Sequence, residues 1–87
     1  MEITTERAQV LAKAFGKDYP GVTAEGLVVD AKAHASEWSL CKGILEAYRS
    51  ACSDDDARAH YKTLVYPRAM QRLWRVGVKC RVLGPRK

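Results

Sequence analysis

Residues 24–52 read AEGLVVDAKAHASEWSLCKGILEAYRSAC, and the spacing of their apolar positions decides the fold. From Leu27, the residues Ala31, His34, Trp38, Cys41, Leu45, Tyr48 and Cys52 follow at alternating steps of four and three. That repeat keeps side chains on one face of an α-helix. Leu40, Ile44, Ala47 and Ala51 widen the face toward its C-terminal end. Such a seam serves either a coiled coil between two chains or the core of an intramolecular bundle. Ala31, His34, Cys41 and Cys52 are too small or too polar for an autonomous zipper, so the intramolecular core is favoured. The stretch fits one long helix or two helices broken near Ser36–Ser39. Ser39 and Gly43 weaken its middle without forcing a break.

Upstream, Thr4 or Thr5 can cap a first helix, with Glu6 in the positive first turn and Val10, Leu11, Ala14 and Phe15 as its apolar stripe. Gly16 suits the position just past the helix end. Tyr19-Pro20-Gly21 reads as a tight turn with positive φ at the glycine, and Thr23 opens the next helix with Glu25 behind it. Downstream, Ser53-Asp54-Asp55-Asp56 is a helix start, with serine as the expected cap. A metal site is disfavoured there, because adjacent helical side chains diverge by about 100° and cannot enclose one ion. Some combination of Tyr61, Leu64 and Val65 supplies the buried face that follows. Pro67 is expected to interrupt or kink that helix, a new one running from there to about Arg75 with Gly77 closing it. Beyond Gly77, Val78, Cys80 and Val82 alternate with Lys79, Arg81 and Leu83, a strand pattern. A lone strand must pair with residues 1–5, a second subunit or a partner. The fold expected is mainly α: a small helical bundle of three to five helices with a short C-terminal β-strand, in a single domain over residues 1–87.

Charge divides the chain sharply. Residues 1–56 hold ten acids against six Lys/Arg, a net of −4, and residues 57–87 hold nine Lys/Arg and no acid, a net of +9. Such asymmetry points to a polyanion or an acidic protein surface. Arg68, Arg72 and Arg75 fall at i, i+4 and i+7 and should share one helix face, supported by Arg58, Lys62, Lys79 and Arg81. Arginine's planar fork suits phosphate or carboxylate. Trp74 lies among them and is expected first as a core anchor, with base stacking or a partner pocket as the sharper alternative. No helix-turn-helix is evident, since an Asp-rich cap beside a recognition helix would repel phosphate.

Enzymatic motifs are missing: there is no phosphate-cradling glycine loop, nucleophile elbow or His-Glu-x-x-His pair. Cys41, Cys52, Cys80, His34 and His60 lack the close spacing of zinc motifs, so no metal or cofactor is expected. An odd number of cysteines, no apolar signal core behind Glu2 and Glu6, and no run longer than Leu27-Val28-Val29 point to a cytoplasmic protein without a membrane segment. The function expected is that of a non-enzymatic small binding protein whose basic C-terminal face contacts a polyanion, nucleic acid first. If all seven basic residues contribute, about four to six phosphates are neutralised, with a log–log salt slope of roughly −3 to −5. The alternative is a phage- or mobile-element-type regulator or inhibitor that binds a host protein, such as a nucleic-acid-handling complex, through an acidic or DNA-binding surface. A homodimer through the seam or the strand is a further expectation.

Overall fold

Side-chain caps open four helices in the computed structural model of the chain, which describes residues 1–79. Thr4 precedes α1 (Thr5–Phe15), Thr23 precedes α2 (Ala24–Ala31), Ser36 precedes α3 (Glu37–Ser50) and Asp54 precedes α4 (Asp55–His60). Each cap residue is extended, and its side-chain oxygen accepts from the amide three residues on, at 2.7–3.1 Å. Threonine was the expected cap for the first two helices. At α4 the cap is Asp54 rather than Ser53, and its carboxylate takes a charge-assisted bond that a hydroxyl cannot match.

Two helices, not one, span residues 24–52. The Ala33 and His34 amides bond back to Asp30 and Ala31 carbonyls in tight i→i+3 turns, and Ser36 then restarts the helix. The Met1 amino group donates to the Ala31 and His34 carbonyls, completing the exposed end of α2. Because the seam is divided between two helices that pack on each other, it is spent inside the molecule. Leu27, Ala31, Cys41 and Leu45 are buried, and Trp38, Tyr48 and Cys52 pack half-buried against them.

Pro67 does not stop the last helix. The chain runs from α4 through a π turn (Tyr61–Val65) directly into α5 (Tyr66–Arg75). Within that turn the Tyr66 amide reaches back five residues to the Tyr61 carbonyl. A proline removes one rung and crowds the carbonyl four residues earlier, and a wider turn is one way a helix absorbs that. At the far end, Gly77 takes φ 93°, its amide bonds to the Trp74 carbonyl, and the Val78 amide bonds to the Leu73 carbonyl. This is a Schellman closure, whose usual apolar contact pairs the residue after the glycine with one in the last turn. Val78 and Leu73 are both fully buried in the core. Val78 thus belongs to a helix cap, and the remainder of the expected strand, from Cys80 onward, lies outside the described residues.

The core lies where α1 packs between α2 and α5, with α3 against α2. In α1 the buried stripe is Ala8, Leu11, Ala14 and Phe15, while Val10 is 41% exposed because it points about 100° away from Leu11. At one end of the core Tyr19 is buried among Phe15, Tyr48 and Tyr61, with ring centroids at 5.1, 4.6 and 6.2 Å. Tyr61 gives its hydroxyl proton to the Leu45 carbonyl at 2.8 Å, so it accepts from Tyr19 at 2.9 Å. Burial pushes both phenols up from their ordinary pKa. The turn at Tyr19-Pro20-Gly21 forms, closed by the Val22 amide on the Tyr19 carbonyl, but Gly21 does not have positive φ. Glycine eases a close approach there: its amide donates to the Tyr48 hydroxyl at 2.9 Å, and a Cβ would lie 3.0 Å from that oxygen, tighter than ordinary contact.

Candidate nucleic-acid interface

The face of α5 turned to the core carries Ala69, Met70 and Leu73, all buried. Its outer face carries Arg68, Gln71, Trp74 and Arg75, all exposed. Arg68 and Arg75 are seven residues apart, hence aligned on the helix and separated by about 10 Å along its axis. Neither makes a hydrogen bond or ion pair with any described residue. Trp74 is 58% exposed, so it does not anchor the core as first expected. At the preceding π turn Tyr61 is buried and Val65 packs partly buried against the core, while Leu64 is 45% exposed and is the one of the three left out of the buried face.

Arg72 departs from the expected face. Its Nε donates to the Ala14 carbonyl at 2.6 Å and its Nη2 to the Phe15 carbonyl at 3.0 Å, with Asp18 at 3.7 Å. Those carbonyls end α1 and have no partners within that helix. A cation there also complements the negative end of the helix dipole. Arg72 therefore clamps α5 to α1 and is only partly exposed.

The remaining predicted residues scatter. Arg58 folds back on its own helix start, donating to the Cys52 carbonyl at 3.2 Å and to Asp55 at 3.3 Å. Lys62 is exposed but lines a cleft with Glu46, Arg49 and Tyr66, toward α3. At about 100° per residue, Arg58 and Lys62 would already lie about 80° and 120° round the helix from Arg68, and the π turn shifts the phase further, so that pair is not in line with Arg68 and Arg75. Lys79 is exposed near Trp38 and Glu37, beyond the helix cap. Arg81 lies outside the described residues. Sequence reasoning missed Arg49, which brings a basic side chain to Lys62 from the acidic part of the chain and pairs with Glu46 at 3.4 Å. No local signal could have revealed that neighbour, since the two residues meet only through the packing of α3.

Among the described residues, no group of three or more His, Cys, Asp or Glu is arranged to hold a metal ion. His34 Nδ1 pairs with the Ser39 hydroxyl at 2.9 Å, and the Cys52 thiol donates to the Tyr48 carbonyl. No described helix is long and apolar enough to cross a membrane. No family model, curated protein or solved structure matches the chain.

Proposed function

We propose that the chain is a non-enzymatic binding protein that receives nucleic acid on the outer face of α5. The observation that carries this reading is the pair Arg68 and Arg75: exposed, aligned and without a partner among the described residues, in a segment with no acid after Asp56. Arg72 and Arg58 already serve internal carbonyls, so the surface neutralises fewer phosphates than the charge count implies. With two or three contacts the log–log salt slope should be about −1.5 to −2.7. Fluorescence anisotropy with labelled oligonucleotides across a salt series measures it. Reversing Arg68 and Arg75 to Glu should abolish binding with the circular dichroism unchanged, and unaltered affinity would refute the assignment.

A regulator that docks on an acidic or DNA-binding surface of a host protein uses the same helix. Its support is the exposure of Trp74 and Leu64, since tryptophan and arginine dominate protein-binding hot spots. Oligonucleotides that fail to bind, beside a protein captured by the wild-type chain and lost with Arg68→Glu/Arg75→Glu, would favour it.

A further inference from the structure

We infer that Trp74 is a base-stacking platform, so that α5 takes single-stranded rather than duplex nucleic acid. This rests on the nucleic-acid reading above and names the form of the ligand.

Trp74 is the one exposed aromatic side chain among the described residues. Trp38 packs half-buried against the core, and the tyrosines gather around Tyr19 and Tyr61. An indole left in water forgoes a large burial gain, and here it shares a helix with two exposed arginines that make no hydrogen bond or ion pair with any described residue. Trp74 and Arg75 are consecutive in a helix, so their side chains diverge by about 100° with a rise of only about 1.5 Å. A nucleotide presents its base and its phosphate on different sides of the sugar. The ring can therefore take the base while Arg75 takes the adjoining phosphate, and Arg68 meets the strand about two helical turns away.

Duplex fits this arrangement poorly. Its base faces are already stacked on one another, and opening a step for an inserted ring costs a few kcal/mol. Every base of a single strand has a free π-face, and stacking on an aromatic side chain needs no particular sequence. A groove-reading alternative lacks its framework as well. α5 continues α4 through the π turn with no intervening loop, and Asp54, Asp55 and Asp56 at the start of α4 repel phosphate.

The test uses the full chain with a fluorescein-labelled oligo-dT of about 15 nucleotides, near the upper site size of small single-strand binders, and a duplex of equal length. The single strand should bind at least about tenfold tighter, and Trp74→Ala should weaken that binding by about 5- to 100-fold while Trp74→Phe retains most of it. In a Trp38→Phe background, the remaining indole fluorescence should be quenched by oligo-dT and not by the duplex. Equal affinity for both forms, with Trp74→Ala without effect and Arg68→Glu/Arg75→Glu still disruptive, would overturn stacking and leave the arginine surface standing. Failure of both oligonucleotides to bind would overturn both readings.

Discussion

Leu73 and Trp74 are neighbours in α5, yet one is fully buried in the core and the other is more than half exposed. Arg72 and Arg75 divide in the same way, the first bonded to the last carbonyls of α1 and the second without a partner among the described residues. The inner face is otherwise aliphatic and the outer face polar and aromatic, yet arginine occurs in both roles and serves different ends. Position relative to α1, not residue identity, decides which arginine holds the fold and which is available to a ligand. Net charge therefore overstates a binding surface wherever a cation can reach the open end of a neighbouring helix.

The contrast is open to test by substitution, beginning with the inner face. Leu73→Ala should destabilise by about 2–5 kcal/mol, as large-to-small changes in a closed core do, and urea denaturation measures it. A cost below about 1 kcal/mol would mean that α5 is not seated on α1. Arg72→Ala should cost about 1.5–3 kcal/mol, since it strips charged donors from two carbonyls at the end of α1. Should that variant keep full stability and lose oligonucleotide binding, Arg72 would belong to the outer face after all.

A third measurement concerns the other contact that ties α1 to a distant helix. Arg7 donates to both carboxylate oxygens of Glu37 at 2.8 Å, joining α1 to the start of α3. Those hydrogen bonds hold the Glu37 carboxyl below its ordinary pKa. A depressed carboxylate stabilises the fold above its unfolded pKa, and the gain is lost as pH falls through the folded value. Because both partners are partly exposed, the contribution is at most about 1 kcal/mol. It should fade as pH falls below the ordinary carboxylate range, and Glu37→Gln should flatten that part of the stability profile. Smallest of all, Arg68→Glu/Arg75→Glu should change stability by no more than about 0.5 kcal/mol, because neither side chain has a partner among the described residues to lose. A larger loss would show that the outer face is also structural.

Helix ends were the most legible feature, and the reason is local. A cap joins a side chain to an amide three residues away, so Thr4, Thr23 and the Asp-rich start of α4 can be recognised without knowing the fold. The seam from Leu27 to Cys52 was legible as a core face. Its break near Ser36–Ser39 was legible only as one of two alternatives, because the four-and-three rhythm continues from Ala31 across His34 to Trp38 while the backbone turns and restarts at Ser36. The aromatic cluster escaped notice because Tyr19 sits in a Pro-Gly turn, where no helical period marks it for burial. Trp74 was misassigned because a large ring beside Leu73 favours burial by composition, whereas its angle on α5 carries it outward.

By itself the sequence determined a mainly helical chain, the starts of its helices, a seam meant for the core and a C-terminal segment without acids. Each of these depends on residues within about one helical turn of one another, or on a count. Only the tertiary structure decided the rest: that Arg72 reaches the end of α1, that the π turn at Tyr61–Val65 carries the helix through Pro67 and turns Lys62 toward α3, and that Arg68, Trp74 and Arg75 are left facing outward. These outcomes depend on contacts between residues up to 58 positions apart, as for Arg72 and Ala14. Packing sets them, because a helix face becomes inner or outer only when a second helix lies against it.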